Sequence, residues 1–104
     1  ERFRIDPSNG HDLLTTLNVS PWEAALGAKV PLRVMDGEVT VTVPAGSQSG
    51  QRLRIRGKGL AKRGGERGDL LAELRIVVPK SLEPEQRALF EKLAETSNFD
   101  PRNM

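Results

Sequence analysis

Two runs of alternating apolar residues, Val30-Leu32-Val34 and Val39-Val41-Val43, flank the dipeptide Asp36-Gly37. Apolar residues at every second position fit a half-buried strand, and Asp-Gly between two such runs is a strong signal for a two-residue hairpin. With Asp36-Gly37 at the tip, Val34 opposes Val39, Leu32 opposes Val41 and Val30 opposes Val43. Six apolar side chains then fall on one side, which fixes the face that must be buried. Pro31 has no backbone donor, so its strand is expected at a sheet edge.

The same period recurs along the chain. Residues 2–6 alternate, with Phe3 and Ile5 on one face, and Pro7 to Gly10 make a turn. Residues 12–19 form a second strand in which Leu13, Thr15, Leu17 and Val19 share a face. After a polar turn at 45–50, residues 51–56 place Leu53 and Ile55 inward and Arg52, Arg54 and Arg56 outward. A glycine-rich basic loop covers 57–68. Residues 69–78 then give the longest strand, with Leu70, Ala72, Leu74, Ile76 and Val78 on one face and Pro79 as its stop. No internal repeat is evident.

Two segments read as helix. Ser20 and Glu23 form a capping box around Pro21, and Gly27 suits a left-handed stop, so this helix holds a turn or two. Trp22 within it is read as a packing anchor. From Pro84 to Thr96 the period lengthens to that of a helix, with Leu89, Phe90, Leu93 and Ala94 in one stripe. Both Ser81 and Glu83 qualify as its cap. The expected fold is mainly β: a small two-sheet β-sandwich-like domain with a short helix near residues 20–26 and a C-terminal helix.

Composition narrows the chemistry. There is no cysteine and one histidine, His11, which removes disulfides, thiolate sites, cysteine nucleophiles and histidine-built zinc sites. No cofactor is expected. Asp36, Glu38 and Asp69 stand at turns and strand ends, where acids are ordinary, and His11, a lone histidine after a turn, is read as ordinary. The chain is therefore not read as an enzyme. Four aromatic residues and no tyrosine count against a stacking platform for single-stranded nucleic acid. A net charge of +2 permits acidic partners without demanding them. No apolar run has membrane length and no signal peptide is present. The first residue is Glu1 and strand pattern begins at once, so a fragment of a longer intracellular protein is expected.

The stretch G-Q-R-L-R-I-R-G-K-G-L (50–60) raises the question of phosphate. A Walker-type loop needs a hydroxyl residue after Gly-Lys, where Gly59 stands, and Gly50 is at the wrong distance. A dinucleotide fingerprint needs a third glycine where Lys62 stands, and a helix after it. Both nucleotide readings fail on spacing. A phosphate-tracking strip for DNA made of Arg52, Arg54, Arg56, Lys58, Lys62 and Arg63 remains, beside the plainer reading of a solvated outer sheet face. No helix is a basic recognition helix.

In order along the chain come G-H-D-L (10–13), W-E-A-A-L-G (22–27), V-P-A-G-S-Q-S-G (43–50), R-L-R-I-R-G-K-G-L (52–60), G-D-L (68–70), V-P (78–79) and a terminal helix. This resembles the second C-terminal β-domain of DnaJ-type J-domain co-chaperones over nearly the whole chain. The W-E-A-A-L-G form and F-D-P (99–101) are most similar to the curved-DNA-binding protein A branch. Ala61 stands where many members have proline.

The resemblance implies a β-domain over 1–80 and a dimerisation helix with its tail over 81–104. It implies a homodimer through Leu82, Leu89, Phe90, Leu93 and Phe99, and structural roles for Gly57 and Gly59. It also implies work on unfolded polypeptide clients together with a DnaK-class ATPase chaperone, in the cytoplasm. The J-domain and the first C-terminal domain are not in these residues, so the fragment would supply dimerisation and a secondary client surface. Client contact is expected at an apolar strand edge, either residues 13–19 with Leu17 and Val19 as pocket residues or the edge marked by Pro31. The alternative is a curved-DNA, nucleoid-associated module that uses the basic strand and loop.

Overall fold

The computed structural model describes residues 3–6, 10–61 and 64–103. Six strands and two helices follow in the order β1 (Arg4–Ile5), β2 (Leu13–Val19), α1 (Pro21–Leu26), β3 (Ala28–Val34), β4 (Gly37–Val43), β5 (Arg52–Ile55), β6 (Leu70–Ile76) and α2 (Pro84–Thr96). One sheet has the order β1-β2-β6-β5, and β3-β4 form a second, two-stranded sheet. The mainly β, two-sheet expectation holds.

The core lies between the sheets. Leu13, Leu17 and Val19 of β2 and Leu70, Ala72 and Leu74 of β6 meet Val30, Leu32 and Val34 of β3 and Val41 and Val43 of β4, with Ala24 of α1. Leu70, Leu74, Val19 and Val43 are buried almost completely. Each such side chain contributes about 1.5–3 kcal/mol by leaving water. Phe3, Leu53, Ile55 and Ile76 close the margins of this core. Ile5, expected on the same face as Phe3, is instead exposed on the two-residue outer strand.

β2 and β6 run parallel, with Leu13 opposite Leu70, Leu17 opposite Leu74 and Val19 opposite Ile76. The pairing brings together two copies of one short pattern. Asp12-Leu13-Leu14 with Leu17 and Val19 matches Asp69-Leu70-Leu71 with Leu74 and Ile76, position for position. This small repeat was not apparent from the sequence because it spans only eight residues. Val78, expected on the β6 core face, lies past the end of the strand and is exposed.

The hairpin forms with a different tip. Val34 pairs with Gly37, Leu32 with Val39 and Val30 with Val41, so the turn is Met35-Asp36 and Gly37 opens β4. A mirror-image turn centred on Asp36-Gly37 needs a positive φ at both residues. Gly37 has one (140°), but no described non-glycine residue does, Asp36 included. The register therefore moves by two. A shift of two keeps every side chain on its expected face, so the core pattern survives.

Helix α1 begins as expected. The Glu23 N–H donates to Ser20 Oγ (3.1 Å) and the Ser20 N–H donates to Glu23 Oε1 (2.8 Å). Its C-terminal end is held by the loop after β4. The Gly46 and Ser47 N–H groups donate to the Ala24 carbonyl (2.8 and 3.0 Å), and Ser47, itself buried, donates its hydroxyl to Pro44 O (2.5 Å). The motifs W-E-A-A-L-G and V-P-A-G-S are thus two halves of one packed unit.

The glycines of the 57–68 loop have separate causes. Gly57 has a φ of 74° and open space around it. Gly59 has no room for a side chain: an added Cβ would lie 2.5 Å from Asp69 O and 2.6 Å from His11 O. Gly68 meets the His11 main chain in the same way. Replacement of Gly59 by Ala is expected to cost about 3 kcal/mol through forced backbone displacement, and of Gly57 by Ala about 1 kcal/mol through φ strain alone. Urea unfolding curves check the order. Equal losses at the two positions would show that close packing at Gly59 is not the cause.

Candidate functional site

Two surfaces carry the residues singled out from the sequence. The first is the outer face of β5 and the loop that follows it. β5 alternates as expected, with Leu53 and Ile55 against the core and Arg52, Arg54 and Arg56 exposed. Most of this positive charge is matched by acids from elsewhere in the chain. Arg52 meets Glu73 of β6 at 3.4 Å. Arg54 donates to Asp69 at 2.7 Å and lies 3.6 Å from Asp12. Arg67 donates to Asp36 at 3.3 Å and to the Gly59 carbonyl at 3.0 Å, and Lys58 approaches Asp36 at 4.0 Å.

Among the described residues no carboxylate comes within ion-pair distance of Arg56. Lys62 and Arg63, the other two members of the expected strip, lie outside the described residues. What the structure brings together is thus a set of ion pairs beside Arg56, which has no direct ion pair among the described residues but whose charge still acts on Asp69. Sequence reading did not show these pairs because each acid, at 12, 36, 69 or 73, lies far along the chain from its cation at 52, 54, 58 or 67.

Asp69 is the hub of this face. Its carboxylate accepts the Gly57 N–H (3.0 Å) and the Arg54 guanidinium (2.7 Å), and its own N–H donates to Asp12 Oδ1 (2.7 Å). The Gly57 hydrogen bond, then Arg54, hold its carboxyl below the ordinary carboxylate value. Asp36 is lowered as well, chiefly by the charge of Lys58. No group of His, Cys, Asp and Glu among the described residues is arranged to hold a metal ion.

The second surface is α2. It spans Pro84–Thr96 as the sequence indicates and is capped at Glu83, whose N–H donates to Gln86 Oε1 (3.1 Å). No residue of α2 is buried. Leu89 and Leu93 are 66% and 61% exposed, and Phe99 beyond the helix is 72% exposed. Leu82 and Phe90 are half-buried. Phe90 lies against Trp22 of α1, with ring centroids 6.3 Å apart and planes at 59°, a tilted aromatic pair. The anchoring role read for Trp22 therefore acts between the helices.

The residues read as a client pocket lie elsewhere. Leu17 and Val19 are in the core, 8% and 2% exposed. β2 pairs with β6 along its whole length, and the β1 ladder reaches only Leu13 and Leu14, so among the described strands the outer edge of β2 has no ladder partner over residues 16–19. Among the described strands β3 pairs only with β4, which leaves its other edge open there and puts Pro31 on an edge strand.

These motifs, on this fold, are matched in known proteins. The DnaJ C terminal domain family matches residues 1–79. The chain belongs to this family. It is 52% identical over 93 residues to a protein of Pseudomonas putida (strain KT2440) called curved DNA-binding protein, covering 89% of the chain and 29% of that protein. Proteins of the same name from Serratia proteamaculans and Coxiella burnetii are 50% and 45% identical, each over 89% of the chain. The chain spans less than a third of the length of these relatives. The matched residues stop before α2, which begins at Pro84. No described helix is long and apolar enough to cross a membrane.

The lowered carboxyl of Asp69 has a consequence for stability. A group whose folded pKa is depressed stabilises the fold above its unfolded value and loses that contribution as pH falls through the folded value. Stability is therefore expected to decline below the ordinary Asp value of 3.8. Asp69→Asn should lower stability at neutral pH and make the acid-side decline shallower, as read from urea midpoints between neutral and strongly acidic pH. An unchanged acid limb would remove Asp69 from this role.

Proposed function

We propose that this chain is the dimer-forming end of a J-domain co-chaperone. In this reading residues 1–80 are its second C-terminal β-domain and 81–104 its dimerisation helix and tail. It supplies a secondary surface for unfolded polypeptides, while a DnaK-class ATPase chaperone is engaged through domains outside these residues. The observation that carries the reading is the state of α2. An amphipathic helix ordinarily docks its apolar stripe somewhere. Here Phe90 is anchored on Trp22 while Leu89, Leu93 and Phe99 stay exposed, a stripe suited to a second copy. Leu82, Leu89, Phe90, Leu93 and Phe99 are the proposed interface.

Clients would add as strands to the edge of β2 at residues 16–19 or to that of β3, where main-chain hydrogen bonds give the affinity. Because Leu17 and Val19 face the core, they shape this edge from beneath. Such binding is expected to be weak.

A second reading, contact with DNA in a nucleoid setting, draws on the name of the relatives, curved DNA-binding protein, and on the exposed Arg56. The ion pairs of Arg52 and Arg54 weaken it. Few phosphates would be engaged, so a plot of log affinity against log salt should have a slope no steeper than about −3. Binding that survives replacement of Arg52, Arg54 and Arg56 by Ser, or that ignores salt, would remove the strip from consideration.

The dimer is tested by sedimentation equilibrium. The chain should be dimeric at micromolar concentration. Two buried leucines from each of two protomers make the double change Leu89→Asp with Leu93→Asp weaken association roughly a thousand-fold or more. The circular dichroism of the β-domain should be unaffected, since neither side chain enters its core. A chain already monomeric at high micromolar concentration would overturn the proposal.

A further inference from the structure

The two sheets leave a second pair of open edges, on the side away from the β2 and β3 edges. Among the described strands β4 pairs only with β3, and β5 only with β6. Between them lies a cleft of about 520 Å³ bounded by residues 39–42 and 52–56.

The hydrogen-bond alternation shows which main-chain groups face this cleft. The Leu74 N–H donates to the Gln51 carbonyl, so Gln51 turns its main chain toward β6. In an antiparallel ladder the next outward residues are Arg52 and Arg54. In the hairpin, Val34 and Gly37 form the hydrogen-bonded pair next to the turn, which turns Thr40 and Thr42 outward on β4. Pro31, opposite Thr40, accordingly sits where its missing N–H breaks no ladder bond.

The walls differ in chemistry. Val39, Leu53 and Ile55 are partly exposed at the margin of the core and make an apolar floor. Arg52, Arg54 and Arg56 line the rim, and no acid lies among the lining residues. Arg52 and Arg54 have their own acid partners, yet their side chains remain 49% and 52% exposed, and a guanidinium has donors to spare after one contact. Arg56 has no ion-pair partner among the described residues.

We propose that this cleft takes an extended peptide of alternating apolar and acidic residues, which adds as a strand to β5. A strand in that position would point alternate side chains at the apolar floor and the others at the arginine rim. Charge complementarity thus selects carboxylates at every second position. The unpaired main-chain groups on both sides favour a polypeptide over a nucleic acid. A DNA duplex can place phosphates on the rim but has nothing to pair with a strand edge and is too wide to enter between two sheets. The site is independent of the dimer proposal, because α2 contributes nothing to its lining.

The test uses the 104-residue chain, isotope-labelled for amide chemical-shift mapping, and three eight-residue peptides alternating Val with Glu, Lys or Gln. The Val-Glu peptide should perturb amides of residues 39–42 and 52–56 and bind more tightly than the other two. N-methylation at alternate residues on its pairing edge should abolish binding. Arg56→Gln should weaken it roughly three-fold and leave the free protein's spectrum otherwise unchanged, as expected for an exposed, unpaired side chain. The proposal is overturned if perturbations fall outside these residues, or if the Val-Lys peptide binds as well as the Val-Glu one. Undiminished binding of the N-methylated peptide would also overturn it. A short DNA duplex that shifts the same amides and displaces the peptide at equal concentration would assign the rim to phosphate instead.

Discussion

Asp12 is buried at the entrance of β2, and its carboxylate accepts the main-chain N–H of Asp69, 57 residues later, at 2.7 Å. Beside it the Leu13 N–H donates to the Asp69 carbonyl at 2.9 Å. These two bonds set the starts of β2 and β6 at the same level. In a parallel pair with no connecting hairpin, something other than a turn must fix the register. A one-residue slip of β2 against β6 would turn Leu13, Leu17 and Val19 out of the core. A hydrogen bond to a charged acceptor is worth about 1.5–3 kcal/mol, modest beside the burial it directs. The rest of the loop packs onto this junction: Gly59 donates to Gly68 O, Gly68 to Leu60 O and Leu60 to His11 O. Nothing larger than glycine fits at Gly59 or Gly68, because the His11 main chain runs alongside both.

That junction also explains the glycine-basic stretch that looked functional. Arg54 reaches Asp69 and Asp12, the two residues that form it, and Gly57 donates to the Asp69 carboxylate. Arg67 ties the loop to Asp36 at the hairpin tip. Clustered cations in a sequence suggest a field looking outward for a partner. Folded, most of the described ones look sideways at acids from three other segments: the start of β2, the hairpin tip and β6 with its entry. The motif R-G-K-G-L is spaced by the needs of a close backbone crossing, and the G-D-L motif supplies the other half of that crossing.

What could be read from the sequence was what depends on near neighbours. The capping box at Ser20 and Glu23 and the limits of the helix from Pro84 to Thr96 are decided within a few residues. Strand faces were legible because alternation is local. The hairpin register was misjudged by two because Asp36 does not take the positive φ that the favoured turn demands, yet the buried face was right, since a shift of two preserves it. The parallel β2–β6 pair was not legible. Its signal, two matching Asp-Leu-Leu segments 57 residues apart, is short, and strand pairing is a long-range fact. The ion pairs of the arginines stayed hidden for the same reason, and with them the difference between a binding strip and a braced sheet face.

The position of α2 follows from a relay of short-range bonds. The 44–47 loop grips the end of α1 through the Ala24 carbonyl, and the Ser20–Glu23 box fixes its start. A six-residue helix has little stability alone, so these two attachments hold Trp22 in place. Trp22 in turn meets Phe90. The terminal helix is thereby mounted on the β-domain at one aromatic contact and not laid along a sheet. A helix laid along a sheet would have its leucines covered by its own chain. With Phe90 against Trp22, α2 keeps Leu89 and Leu93 at the surface, and an exposed apolar stripe of this kind is the mark of an interaction surface. The short capped helix thus does more than fill the gap between two strands. Through Trp22 it also carries the aromatic contact to the terminal helix.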